Sequence, residues 1–584
     1  MQAITGTGSM NTLLNVINVS FARGSVPLFE NISLSINTGD RVGLVGHNGS
    51  GKSSLLSLIS GAETPDEGEI RMPRGQKVAM VEQFVPSVLS QMSLIDAVLE
   101  ILPVEERQQN RYQADELLAQ LGFSVAHAEL PLHSLSGGQQ NLALLARAIL
   151  LQPELLLMDE PGNHMDVMAL QYLQQFLHSG HSGSLLMISH DRELLNSCCN
   201  RTVFLRDQRL YSFELPFDAA SKALAERDVQ AAKARHAEGK EIKRLQTSAK
   251  RLAEWGRAYD NEDLARKAKT IQKRVDKLKQ EQTTLSRGSG LELHVETESL
   301  RSKSLLTIEK APITIPGGGQ RLLDIEFQYI RPGDRIALLG RNGVGKSTTI
   351  NRLVDAIGTF DERIRVNPNV QLGYYDQELS QFQGACGRID WLRERCELPD
   401  APIKSVLLQN GVAYRDFDQP VNTLSGGECA RLMFMLFQLN KPNLLILDEP
   451  TNHIDIQGRQ QLERQLVESG ATLIITSHDR RFIERVANRW WWINNRKLVE
   501  LNGLEEFYAV ISDDATSDAK SVATSKVPHT SGVPATDNQD DLLARIEALE
   551  TLLSADRARK PKFQKPDRQL EWEREIDILW QKLD

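Results

Sequence analysis

No apolar run in this chain of 584 residues approaches the roughly 20 that a membrane-spanning helix requires, so nothing in it is expected to cross a bilayer. The first nine residues have neither the basic start nor the apolar centre of a secretion signal. They are read as a leader or remnant, with the folded sequence opening at Met10. Cysteine is scarce: Cys198, Cys199, Cys386, Cys396 and Cys429 form no CxxC pair and no metal-ligand spacing. That pattern fits a reducing cytoplasmic setting. With 41% hydrophobic and 25% charged residues the composition is that of a soluble globular protein, and the length calls for several units.

What is present is a repeat. GHNGSGKS at 46–53 recurs as GRNGVGKS at 340–347, and LSGG at 135–138 recurs at 424–427. LLLMDEP ending at Pro161 recurs as LLILDEP ending at Pro450, and ISHDR around His190 recurs as TSHDR around His478. The four offsets are 294, 289, 289 and 288 residues, which marks a duplicated domain. Strand-like apolar runs open each half, at 13–19 and 41–45 and again at 305–308 and 335–339. Helix-rich stretches such as 115–121 and 139–151 follow. Strand, glycine loop, helix and buried strand together indicate an α/β nucleotide-binding fold in each half.

The glycine loops carry the chemistry. Gly46, His47, Asn48, Gly49, Ser50, Gly51, Lys52 and Ser53, with Ser54 behind them, form a full P-loop. Gly340, Arg341, Asn342, Gly343, Val344, Gly345, Lys346 and Ser347, with Thr348, form the second. Backbone N–H groups of such a loop converge on phosphates at a helix N-terminus, which makes ATP the expected ligand. Lys52 and Lys346 are placed to reach the β and γ phosphates, and the hydroxyls of Ser53 and Ser347 to ligate Mg²⁺. Apolar runs at 155–158 and 444–447 deliver Asp159 and Asp448 to the Mg²⁺ shell. Glu160 and Glu449, one residue on, are candidate bases for the attacking water. His190 and His478 are candidate γ-phosphate contacts.

With LSGG as a signature loop, these motifs resemble the ATP-binding cassette ATPases. The resemblance implies two cassettes closing head to tail. Ser136, Gly137 and Gly138 would close on ATP held by Lys346, and Ser425, Gly426 and Gly427 on ATP held by Lys52. It also implies that Gln83 and Gln377 contact Mg²⁺ and the attacking water.

Residues 218–287 differ from everything around them. They carry 18 Lys or Arg against 11 Asp or Glu, a local +7 in a chain whose net charge is −9. The segment reads as two helices, 219–254 and 263–285, joined by a turn at 255–261. Leu264, Ala268, Ile271, Val275, Leu278 and Leu285 form a coiled-coil seam, matched by Ile242, Leu245, Ala249 and Leu252.

DEPTNHID at 448–455, the fused cassettes and this interdomain hairpin resemble the ABC-F branch, whose members bind ribosomes. The resemblance implies that the linker enters the tRNA exit site and approaches the peptidyl-transferase centre. Lys250, Arg251, Trp255, Arg257, Tyr259, Arg266, Lys267 and Lys269 are then the candidate contacts to rRNA and tRNA. Binding in the ATP-closed state and release on hydrolysis would modulate translation, with no permanent protein partner expected. An antibiotic target-protection protein of the same branch is the alternative. An ATPase subunit of a membrane exporter, which the basic linker disfavours, and a DNA-associated ATPase, which the basic C-terminal tail slightly supports, are further ones.

Two departures fall in the first half. Gly162 replaces the Thr found at 451, and Leu142 replaces the Arg found at 431, so unequal ATP sites are expected. No aromatic residue for adenine is evident, with Phe21 or Arg23 as first-half candidates. The expected organisation is therefore a cassette at 10–217, a helical hairpin at 218–290 and a second cassette at 291–512. A flexible stretch at 513–538 and a C-terminal helical hairpin at 539–584 complete it.

Overall fold

The computed structural model describes residues 12–510, apart from 25, 164, 180–182, 260, 261, 281–301, 316–318, 320, 360 and 453. The expected C-terminal stretch and hairpin, the far end of the linker including Leu285, and part of the second cassette's opening lie outside the described residues.

Each cassette is built on the same parallel core. In the first, six strands run in the order Val78–Val81, Leu155–Asp159, Ser184–Ile188, Arg41–Gly46, Arg201–Arg206, Arg209–Phe213. All neighbours are parallel except the last pair. The P-loop strand is thus central. Leu155, Leu156, Leu157 and Met158 are fully buried, as a strand covered on both faces requires. An antiparallel sheet of Thr12–Arg23, Val26–Asn37 and Glu67–Arg71 covers one side. In the second cassette the same order recurs, and the antiparallel strands join it into one nine-stranded sheet through Asp324 beside Lys497.

Helices Leu94–Leu99, Arg111–Gln120 and Gly137–Leu150 of the first cassette form a subdomain around Leu118, Leu142 and Leu145. The signature opens its last helix. Ser136 caps it by accepting from Gln139 N–H at 3.3 Å, and in the second cassette Ser425 and Glu428 form the same reciprocal box.

The linker rises directly from the first cassette as helix Phe217–Ala258, 42 residues and about 60 Å long, and returns as Glu262–Gln280. The first helix does not end at Glu254. It continues past Trp255 to Ala258, with Tyr259 N–H donating to Trp255 O at 2.9 Å, beyond the expected end at 254. The seam is where the heptads place it: Ile242, Ala249, Ala268 and Val275 are buried, while Lys250, Arg251, Arg257, Arg266, Lys267 and Lys269 are exposed. Trp255 and Tyr259 are 49% and 77% exposed, although large aromatic groups are normally covered.

Both cassettes grip the root of this helix. Arg206 forks onto Asp228 at 2.5 and 2.8 Å, and Arg227 lies over the Tyr211 ring at 4.9 Å. From the second cassette, Arg481 reaches Asp218 at 2.8 Å.

Candidate nucleotide-binding and catalytic site

Each P-loop links a core strand to a helix, Lys52–Ser60 in the first cassette and Lys346–Gly358 in the second. Gly51 and Gly345 precede these helices with φ of 94° and 105°, a left-handed backbone that a Cβ would strain. Lys52 Nζ donates to Gly46 O at 2.8 Å and to His47 O at 3.1 Å. Lys346 Nζ donates to Gly340 O at 2.8 Å and Arg341 O at 3.2 Å. Burial lowers the pKa of both lysines, against the pull of Glu160 on one and Glu449 on the other.

The carboxylates lie at the strand ends. Asp159 and Asp448 are buried, which raises their pKa, while hydroxyl bonds from Ser53 and, for Asp448, from Thr476 and Ser347 oppose the rise. Glu160 and Glu449 have φ of 49° and 50°, a conformation sparse outside glycine. It is held by Glu160 N–H donating to Ile188 O at 3.0 Å and by Glu449 N–H donating to Thr476 Oγ1 at 3.0 Å. The twist turns each side chain back towards its histidine loop. His190 N–H donates to Glu160 Oε2 at 3.1 Å, and His478 N–H to Glu449 Oε2 at 3.3 Å. His190 Nε2 lies 3.3 Å from Glu160 Oε1 and 3.1 Å from Asn48 Oδ1. Burial pushes the Glu160 carboxyl up to about 7, with Lys52 opposing, and drives the His190 imidazole well below its ordinary value.

A cavity of about 670 Å³ joins the halves. Its walls include Asn342, Gly343, Gly345, Lys346, Ser347, Thr348, Gln377, Asp448, Glu449 and His478 of the second cassette, and Ser136 and Gly137 of the first. The expected closure of the first signature on the second P-loop is therefore present as geometry. Glu160 and His190 open onto the same cavity. At the other P-loop the second cassette is represented by Asp455, whose charge acts on Lys52 and His47. Ser425, Gly426 and Gly427 head the helix Gly426–Asn440. Gln83 borders a small crevice with Asp159 and Glu160.

The donor set fits Mg²⁺. In each half a carboxylate hydrogen-bonded to a P-loop serine hydroxyl offers hard oxygen ligands, and Glu160 Oε1 and Glu449 Oε1 are buried without a hydrogen-bond partner.

Several contacts at this site go beyond what the motifs specify. Ile315 and Leu322 form the apolar wall beside the second P-loop, where an aromatic residue was sought. The first-half candidate Phe21 stacks instead on Phe29, with ring centroids 6.0 Å apart. Asp166 reaches across the halves to accept from Asn342 N–H at 3.5 Å. Thr451 Oγ1 lies 3.0 Å from Ser477 Oγ, a contact that Gly162 cannot make to Ser189. Arg459 lines the same cavity. Asp166 and Asp455 end the two DEPxNHxD motifs, so their position was visible and only their reach was not.

Two parallel cores with P-loops, paired carboxylates and a signature facing the opposite half define ATP-binding cassettes. The family model described as ABC transporter matches residues 29–163 and 322–452. Among the described residues no helix is long and apolar enough to cross a membrane. The chain is 31% identical over 536 residues to the probable ATP-binding protein YheS of Escherichia coli, covering 85% of this chain and 81% of that one. It is 27% identical to the ribosome protection protein VmlR of Bacillus subtilis, covering 85% and 88%. The chain belongs to the ABC-F family of twin-cassette ATP-binding proteins. Among solved structures, archaeal ribosome recycling factor aABCE1, in complex with ribosomal stalk protein aP1, shares the fold. Its TM-score is 0.57 at 18% identity, covering 85% of this chain and 92% of that one.

Proposed function

We propose that this protein is a Mg²⁺-dependent ATPase that binds the ribosome with its cassettes closed on ATP and leaves on hydrolysis. The observation that carries the reading is a basic helical hairpin, exposed along its charged faces and tip, whose root is held by both halves of a composite ATP site. Exposed Lys and Arg in this density pair with phosphate backbones, and Trp255 and Tyr259 offer faces for base stacking. The linker is taken to reach the tRNA exit site and approach the peptidyl-transferase centre, as the family resemblance implies.

At each site the P-loop backbone and Lys52 or Lys346 bind the phosphates, and the opposite signature closes over them. Glu160 and Glu449, ionised, accept the proton of the attacking water, oriented by the N–H groups of His190 and His478. Ser53 with Asp159 and Ser347 with Asp448 would hold Mg²⁺, with Gln83 and Gln377 beside them. Bound there, the ion would offset the negative charge of the phosphates.

Sedimentation of the Glu160→Gln, Glu449→Gln double variant through sucrose with ATP tests the proposal. It should travel with ribosomes, and with ADP it should not. Absence from ribosomal fractions under both nucleotides would refute it. A target-protection role, as in VmlR, is the second reading, favoured by that similarity. The closeness in sequence of the helix end at Ala258 and the next start at Glu262 leans instead towards a general translation factor, because resistance members of the family often carry a longer tip.

A further inference from the structure

On the wall of the cavity that Glu160 and Glu449 share lies a group of buried charges that joins the two halves. Arg459, on helix Ile456–Glu468 of the second cassette, is 8% exposed. Its Nη1 donates to the backbone carbonyl of His190 in the first cassette at 3.1 Å, and to Asp479 Oδ2, next to His478, at 3.3 Å. Arg192, two residues after His190, is more deeply buried. It forks onto Glu463 across the interface and reaches Asp479 at 3.7 Å. Glu463 accepts a further bond from Arg485 at 2.9 Å. One guanidinium, that of Arg459, therefore touches the histidine loops of both ATP sites.

The repeat shows that this arrangement has no twin. The offset of 289 residues between the DEP motifs sets Leu170 opposite Arg459 and Gln174 opposite Glu463. Leu170 and Arg459 both line the central cavity, as equivalent positions should. Burying ions costs desolvation that apolar packing avoids, so an apolar side chain would serve cohesion at least as well. What the planar fork adds is fixed geometry between its acceptors. The loops it joins are those whose N–H groups hold Glu160 and Glu449.

We infer that Arg459 is a positioning residue that couples the two ATP sites, so that displacement of either histidine loop is felt at the other. The inference rests on the ATPase reading above. It is tested by measuring ATP turnover of the single variants Glu160→Gln and Glu449→Gln in three backgrounds: the native chain, Arg459→Leu and Arg459→Lys.

In the native chain each single variant should lose about tenfold, so that the two retained fractions sum to far less than the whole expected of independent sites. In Arg459→Leu, which installs the residue found at the equivalent position, the two retained fractions should sum to about the parent's whole rate. Arg459→Lys keeps the buried charge and hence the fold, but lacks the fork, and its fractional losses should fall between. If the leucine variant does not fold by thermal denaturation, the lysine background decides. The same fractional losses in every folded background, or single variants of the native chain whose retained rates sum to its whole rate, would overturn the inference. A native chain that hydrolyses no ATP would refute the functional reading and this inference with it.

Discussion

Glu160 makes a stability prediction that is separate from catalysis. Its side chain is 13% exposed and Oε1 has no hydrogen-bond partner, so its charge is poorly solvated without nucleotide. Burial raises its pKa from 4.5 to about 7. The folded state therefore binds a proton that the unfolded chain has released at any pH between those values. Stability is not penalised below the unfolded pKa. It falls as pH rises through the window and levels off above about 7, at a cost on the order of 3 kcal/mol. Glu160→Gln keeps an acceptor for His190 N–H but cannot ionise. The variant should match the native protein in thermal denaturation near pH 5 and gain stability as pH rises to 8, by several degrees in a unit of this size. The measurement is made without nucleotide or Mg²⁺, because either would change the field at the carboxylate. A difference in Tm that is constant with pH, or that shrinks as pH rises, would refute the reasoning.

Three further outcomes are expected. Cys198 and Cys199 are buried and their thiols are pushed up by burial, so a thiol reagent at pH 8 should modify the partly buried Cys386 first and reach that pair only after denaturation. Gly122→Ala should destabilise the first helical subdomain by more than about 1 kcal/mol in denaturant unfolding, because φ is +84° there and a Cβ would lie 2.5 Å from the Tyr172 ring. Val275→Asp places a charge in the fully buried seam of the linker. It should speed proteolysis of the hairpin and abolish ribosomal sedimentation while ATP turnover persists.

Much of this architecture is legible in one sequence because its motifs are local. A P-loop announces itself within eight residues, and 155–158 and 444–447 read as strands because both of their faces are covered. The linker seam is legible for the same reason: Ala268 and Val275 recur at helical spacing and are the residues most deeply buried in the returning helix. The end of the first linker helix was placed too early, since charged and aromatic residues such as Arg257 and Trp255 suit a turn and a helix alike. Beyond the signature closure that the resemblance implies, what crosses between the halves was illegible. Nothing in the spacing of Arg459 distinguishes a surface arginine from one that meets His190 and Asp479, because its partners lie 269 and 20 residues away. The aliphatic wall of Ile315 and Leu322 is not legible because aliphatic residues at 315 and 322 look like those of any strand or core.

The grip on the linker root has a mechanical consequence. Arg206 follows the strand residue Leu205 that pairs with P-loop Gly46, and Arg481 lies three residues beyond His478. Both anchor points are thus short, stiff extensions of the two nucleotide sites, placed within the first four turns of a helix about 60 Å long. A swing of about 5° at that base would sweep the far end through about 5 Å, close to the rise of a helical turn. Sub-ångström adjustments around phosphate would thus arrive at Trp255 and Tyr259 as displacements the size of a side chain. The arm has the gearing of a pointer, and its accuracy depends on two ion pairs at the pivot.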